Sequence, residues 1–501
     1  DSAVVTDYRP RAEKKSQSSM LSISRKDFTL KSVLDSPDLI KTLQMFPGVT
    51  PGEEMSSTMN VRGGTGNDNL YILDNVPLYQ AGHFLGLFSV FNTDVVESVY
   101  FYKGGFPAMY GGRASSVVDV RLSEGDMNEH HSTFSIGVTD GRFQIEGPIK
   151  KGVLSYNVAL RHGWVEAFLK PILKVVDVPD VSYSNDYTKD GHYAFTDLNA
   201  KFTWLKGPRD KICFNAYAGY DFMSFIYGRR DGMIGGTQNS SMKEISKDAN
   251  RWGNFLLAAV WDREFSARRK MQSTYYFTNG YYNALNLNKS VSKDRKYTYK
   301  HVESDISSVY DLGIKVDFTD RTFNRHALSY GASLVNHLFT PVANDHLYLD
   351  DEASDKYINE KNSEGSLYNS PELSVYAEDE YAITPVLYLN AGLRYMLFVV
   401  MKGVYNKLEP RLALSYVPSR AFSFKLAYTE MNQPVHQMES YENNYPGTYW
   451  MPATVRMKPM LARQWVAEAE WRPNHMLLLN VAGFWKDMRH LYGYIGSRNL
   501  P

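Results

Sequence analysis

Few residues in this chain of 501 are spaced for catalytic or metal chemistry. His130 and His131 are adjacent, and neighbours on a strand point to opposite faces, so the pair reads as a polar join before it reads as metal ligands. The acidic run at residues 345–355 lacks the Asp-x-Asn-x-Asp-Gly ligand order of a calcium loop and reads as a solvated loop. Gly63-Gly64-Thr65-Gly66 is followed by neither Gly-Lys-Ser/Thr nor a helix, so it is not a phosphate cradle. Cys213 is the single cysteine, which excludes an intramolecular disulfide and a Cys-rich metal cluster. No nucleophile, base and orienting group share a recognisable frame. The chain is expected to be no enzyme and to hold no cofactor or metal.

What remains is recognition, and the elements that position it are concentrated at residues 60–126. Three short apolar runs occur there: LYIL at 70–73, VVESVYF at 95–101 and VVDV at 117–120. Each is rich in β-branched or aromatic residues and bounded by Gly, Asn, Asp or Pro, the pattern of short strands between tight turns. Upstream, DSPDLIKTLQMFPGV at 35–49 predicts a short helix: Ser36 as N-cap, Pro37 at the first helical position, and Leu39, Leu43 and Phe46 on one face. Pro47-Gly48 ends it. The reading is a small mixed α/β domain of about four strands whose polar loops are held against another structure.

The order of these pieces resembles the plug domain of TonB-dependent outer-membrane transporters. The matching residues run in sequence: Arg62-Gly63, Asp74-Asn75-Val76-Pro77, Val96-Glu97-Ser98-Val99, Lys103-Gly104, Tyr110-Gly111, and the closing strand at 116–120. The wording FPAMYGGRASSVVDV, with His83 and residues 88–92, resembles the subfamily that often carries a carboxypeptidase-like domain in front. Asn75 stands where the family has Gly, and Asn tolerates the left-handed backbone such a turn needs. The resemblance implies the remaining roles. Ala3, Val4, Val5 and Thr6 look like the Ton box, the segment that pairs as an added strand with the C-terminal domain of TonB, and their β-branched content suits edge pairing. Two loops are expected at the plug apex against substrate: Glu53, Glu54 and Met55 in one, and Tyr79, Gln80, Ala81 and His83 in the other. Arg62 and Arg113 are expected to form ion pairs with carboxylates on the barrel wall, since a buried Arg needs such a partner.

Composition agrees with this reading. Aromatics make up 14% of the chain, and its 36 Tyr outnumber 25 Phe, which suits many positions where a ring has one wet end. Mean hydropathy is −0.39 and no apolar run is long enough for a membrane helix, but a barrel strand shows lipid only alternate residues. The 55 acidic and 55 basic residues give a formal net charge of +0, which argues against a nucleic-acid partner. No signal peptide is visible, so a mature or trimmed chain is expected.

Past residue 126, segments of alternating polarity recur. In one hairpin Leu387, Leu389, Ala391, Leu393 and Tyr395 point one way and Tyr388, Asn390, Gly392 and Arg394 the other. In the next, Leu412, Leu414, Tyr416, Phe424, Leu426 and Tyr428 share the outward face. Polar spacers at 231–248, 290–303 and 344–368 read as surface loops, and Tyr275-Tyr276-Phe277 with Tyr281-Tyr282 as rings at a membrane interface. The expected fold is mainly β: a transmembrane antiparallel barrel around a mixed α/β plug. The expected division is 1–30 for the Ton box and periplasmic linker, 31–126 for the plug and 127–501 for the barrel. About 15 strands fit that last span at roughly 10 residues each, against about 22 in a plugged transporter. C-terminal strands are therefore expected to be missing from this chain.

The function so implied is active import of a nutrient across the bacterial outer membrane, driven by TonB, with substrate held between plug apex and inner wall and the N-terminal segment in the periplasm. Membrane lipids and, by analogy with glycan and peptide importers, a surface lipoprotein are the other implied partners. The alternative is a plugged barrel serving as a structural or adaptor subunit of a larger outer-membrane assembly.

Overall fold

The computed structural model describes residues 19–24, 32–33, 36–52, 58–84, 86–167, 187–229, 232–234, 237–239, 242–292, 296–352, 355–419, 421–440, 447–474 and 477–492. Two sheets organise them. The smaller has five strands, ordered Met20–Ser24, Val96–Tyr102, Val117–Leu122, Leu70–Leu73, Val76–Leu78. Its one parallel pair joins Leu70–Leu73 to Val117–Leu122. All three apolar runs read from the sequence are strands of this sheet. Their buried side chains, among them Val96, Val99, Phe101, Val118 and Val120, pack with Leu39, Ile40 and Leu43 of the one short helix, Leu39–Leu43. That helix is capped by Asp38, not Ser36: the Asp38 carboxylate accepts the Lys41 amide at 2.9 Å and the Ser89 amide at 2.6 Å. Two backbone donors outcompete the serine hydroxyl, which instead bonds Asp140 at 2.9 Å.

The larger sheet has seventeen strands, all paired antiparallel, from His131–Ile136 to Leu479–Arg489. Plug residues touch strands near both of its ends, Asp94 through Arg142 and Arg62 through Phe484, so the sheet curls around the plug. Where the strands alternate, they sort lipid from lumen. On Gly403–Ser419, Leu408, Leu412, Leu414 and Tyr416 are 58%, 50%, 41% and 46% exposed, while Glu409, Arg411, Ala413 and Ser415 between them are 8% or less. An apolar outer face with polar residues facing inward is what a strand in a bilayer requires, because hydrocarbon solvates no polar side chain.

Turns at one rim are short, as at Gly207–Asp210, Ser266–Arg269 and Thr384–Leu387, while the other rim mixes tight turns such as Val400–Gly403 with long connections such as residues 434–459. In barrels of this kind the short-turn rim is periplasmic. The polar spacers, expected as loops, are mostly strand. Met242–Ser266, Arg269–Ser292 and Tyr297–Asp320 run 25, 24 and 24 residues, and Val342–Asp351 with Lys356–Gly365 form a hairpin beside the last of them. A bilayer consumes roughly 10 residues of a tilted strand. The remainder stands in water with both faces wet, so it loses alternation without losing its ladder. The tyrosine clusters also divide: Tyr275 faces out, but Tyr276 and Tyr282 are 4% and 8% exposed and point into the lumen.

If the Leu412 face meets the bilayer core, Leu412→Arg should destabilise the folded protein in vesicles by about 2–4 kcal/mol and Asn406→Arg, near the outer rim, by about 0–1. Urea titration into lipid vesicles measures both, and equal effects would contradict the assigned belt.

Candidate functional site

The plug meets the wall through side chains that the strand pairing of its sheet fixes in place. Leu73 pairs with Val76, leaving a two-residue turn at Asp74 (φ 45°) and Asn75 (φ 76°). Positive φ at both central positions is the hairpin turn whose twist suits flanking strands, and Asn meets it. The turn is bolted to the wall at both residues. Asp74 receives Lys201 Nζ at 3.1 Å and the Leu122 amide at 3.1 Å. The Asn75 side chain donates through Nδ2 to Gln272 Oε1 at 2.9 Å, and its backbone carbonyl accepts Lys315 Nζ at 3.0 Å.

The segment after this turn, expected at the apex against substrate, is clamped to the wall. Asn254 on the wall accepts the Tyr79 and Gln80 amides at 3.2 and 2.9 Å and donates to the Gln80 carbonyl at 2.7 Å, imitating a strand partner. The Tyr79 hydroxyl donates to Asp311 at 2.5 Å, and Asp311 holds His337 at 2.6 Å. His83 is fully buried, its Nδ1 2.7 Å from Asp221 and its Nε2 2.9 Å from Asp197, with Phe195 stacked on the ring at 4.3 Å. Tyr193 and Tyr217 donate to the other oxygens of Asp221 and Asp197, at 2.5 and 2.8 Å. Only the imidazolium donates from both nitrogens. Burial alone would pull the His83 pKa down, but Asp197 and Asp221 outweigh it and raise it to about 9. Tyr79, Gln80 and His83 thus join plug to wall, because their polar atoms are engaged by wall side chains. Glu53, Glu54 and Met55, and the Ton-box residues Ala3, Val4, Val5 and Thr6, lie outside the described residues.

The two plug arginines differ from the expected ion pairs. Arg62 donates to Ser19 Oγ at 2.8 Å and the Lys103 carbonyl at 3.2 Å, and Ser19 passes the contact to the wall carboxylate Glu468 at 2.8 Å through its amide. Arg113 lies over rings, 4.8 Å from the Trp450 centroid and 5.8 Å from that of Tyr79. Among the described residues it has no carboxylate within ion-pair distance.

A second seam of wall charges holds residues 107–111. Glu378 accepts the Ala108 amide at 2.8 Å, Arg394 donates to the Met109 carbonyl at 3.2 Å, and Arg411 donates to the Pro107 carbonyl. Glu409 lies 3.1 Å from Arg411 and 3.8 Å from Arg394. A Cβ on Gly111 would sit 2.4 Å from Arg394 Nε, so the wall charge explains the glycine. These wall residues were not proposed as site residues from sequence, yet a signal existed. An ionisable residue inside an outward-leucine alternation, such as Arg394 or Glu409, can only face the lumen.

The His83 clamp has a pH signature. A folded-state pKa near 9 against about 6.5 unfolded gives stability fully present below pH 6.5 and lost as pH rises through 9. The calorimetric plug transition should fall between pH 7 and 9.5 in the wild type. In His83→Gln it should already sit lower at pH 7, by about 3–5 kcal/mol of docking free energy, and change little over that window. A wild-type transition flat with pH would contradict the clamp.

With this geometry in view, comparison with known proteins is direct. The family model for the TonB-dependent receptor plug domain matches residues 12–118, and that for the TonB-dependent receptor-like β-barrel matches residues 177–499. Similar solved structures include the ferric enterobactin receptor PfeA of Pseudomonas aeruginosa bound to enterobactin (TM-score 0.55, 15% identity, 94% of this chain and 72% of that one). The RagAB peptide importer in its closed-closed state aligns at TM-score 0.59 and 10% identity, covering 94% of this chain and 67% of that one. The ferric-catecholate import receptor Fiu of E. coli aligns at TM-score 0.58 and 12% identity, covering 95% and 74%. No curated protein matches by sequence. At such identities the structural likeness reports the fold, and the family rests on the two matched domain models. A plug domain seated through buried polar contacts inside an antiparallel wall, with both models matching in order, places this chain in the family of TonB-dependent receptors of the bacterial outer membrane.

Proposed function

We propose that this receptor imports a ligand across the outer membrane by TonB-driven remodelling of its plug. The observation that carries the reading is the chemistry of the seat. Beside apolar patches such as Phe88 on Phe195, the plug–wall seam is built from polar contacts: Lys201–Asp74, His83 with Asp197 and Asp221, and Glu378, Arg394 and Arg411 against residues 107–109. Such contacts hold while water is excluded and exchange for water when the plug is pulled, so release does not strand an apolar core in a bilayer. In this reading residues 1–30 are the Ton box and linker on the periplasmic side, 31–126 the plug and 127–501 the barrel. Ligand binds on the extracellular side between plug and inner wall. Occupancy there shifts Ala3, Val4, Val5 and Thr6 toward TonB, and linkage requires that TonB in turn favour the ligand-bound state. The structural neighbours named for ferric enterobactin and for peptide share the fold equally, so the fold does not select a cargo.

Binding of purified TonB C-terminal domain to the full-length receptor tests the reading. The wild type should bind and Val5→Pro should lose most of that affinity, because proline removes the amide that strand addition uses. If the wild type does not bind, the structural or adaptor reading takes precedence.

A further inference from the structure

One extracellular-side connection folds down into the lumen. Val435–Ser440 pairs with Gly447–Pro452 as a separate hairpin, and Val435, Trp450 and Ala453 pack with Phe339 and Phe398 of the inner wall and with Tyr79 of the plug. Trp450 meets Tyr79 edge-on at 5.0 Å and 73°, and the Arg113 guanidinium lies 4.8 Å from the indole centroid. A flat ring is thus held between a tyrosine edge and a cation.

Two features of this cluster are unbalanced. Arg113 is only 6% exposed, and its hydrogen bond goes to the adjacent Gly112 carbonyl at 2.9 Å. The acids whose field reaches it are engaged by others: Asp311 by Tyr79 and His337 at 2.5 and 2.6 Å, Glu372 by Ser374 at 2.9 Å, and Asp68 by Thr65 at 2.9 Å. A buried cation without its own anion is destabilising. In addition, Trp450 Nε1 and His436 Nε2, on the same hairpin, are buried with no hydrogen-bond partner among the described residues, although a buried indole N–H ordinarily has one. The indole therefore supplies the ring this position accepts and lacks the negative charge that Arg113 needs. Tyr79 and Arg113 also line a cavity of about 100 Å³, bounded on the hairpin side by Pro434 and Val435, with room for several waters.

We propose that Arg113, Tyr79 and the position of the Trp450 ring form a ligand subsite for a planar aromatic group carrying an anionic substituent, with Trp450 holding the ring position until such a ligand displaces it. Arg is suited to both demands, since its planar cation stacks on rings and bonds carboxylate-type anions in a fork. The subsite rests on the import reading for what becomes of the ligand, but binding is measured without TonB. Loss of TonB binding with this subsite intact would strike the import reading alone, and the converse would strike the subsite alone.

The probe is indole-3-acetate, with indole as ring without charge and acetate as charge without ring, in equilibrium dialysis against the full chain in detergent micelles. Trp450→Gly should bind indole-3-acetate at least about tenfold tighter than the wild type does, and in preference to indole or acetate. Adding Arg113→Gln should erase the preference over indole. Equal binding by wild type and Trp450→Gly, or equal binding of indole and indole-3-acetate, would overturn the proposal. Should Trp450→Gly misfold, the wild type carries the test: excess indole-3-acetate, and neither control, should accelerate hydrogen exchange at the Val435 and Trp450 amides. No acceleration there would overturn it too.

Discussion

A charge taken out of water must find its opposite, and the seating of this plug follows from that constraint. The inner wall is polar because its outer face has to be apolar, so the alternation that satisfies the bilayer places Asp197, Lys201, Asp221, Arg394, Glu409 and Arg411 inside the barrel, each at most 6% exposed. Left bare under a plug, each would be costly. The plug answers with His83 between two aspartates, Asp74 on Lys201, and backbone amides and carbonyls at residues 107–109. Stability of the outer surface and reversibility of the inner one therefore have a common source. The strand period that makes one side of the wall lipid-compatible makes the other a polar bearing surface.

The same constraint explains where the plug is rigid. Its apolar core lies between the five-stranded sheet and the Leu39–Leu43 helix, and at its margin it meets a few wall side chains, among them Leu256, Tyr276 and Val335. Contacts to the wall are made by turns and strand ends. A wholly hydrophobic seam between plug and wall would have fused the two into one core of dispersion contacts, and remodelling would then have meant unfolding both. Aromatic rings also lie on the cations of the seam: Phe195 on His83, and Trp450 on Arg113. Each covers a cation and helps to keep water from it.

Local pattern made much of this legible in the sequence. LYIL, VVESVYF and VVDV carried enough β-branched and aromatic content to be read as strands, and Asn75 was recognisable as a residue fit for a left-handed turn because that fitness is its own property. Leu412, Leu414 and Arg394 took their sides from period alone. What stayed hidden depends on distance. His83 read as an apex residue because its partners lie 114 and 138 positions away, and nothing at residue 83 announces them. The long extensions above the membrane read as loops because alternation vanishes when both faces of a strand are wet. Asp38 was passed over for Ser36 because its advantage is a second amide, that of Ser89, 51 positions on. Tyr276 and Tyr282 read as interface rings because a cluster of tyrosines says nothing of which members face in.

The account's central claim is that docking resides in paired buried charges, and a double-mutant cycle across one plug–wall pair tests it most directly. Lys201 and Asp74 are suited to it, being 3.1 Å apart and nearly fully buried. Opening free energies of the plug, from hydrogen exchange, would be compared for Lys201→Met, Asp74→Asn and the double variant. The account predicts that each single change lowers protection by about 3–5 kcal/mol by leaving its partner uncompensated, and that the double variant is no worse than the more damaging single. Simple additivity of the two losses would contradict it, and would mean that the pair is not a unit of the seat.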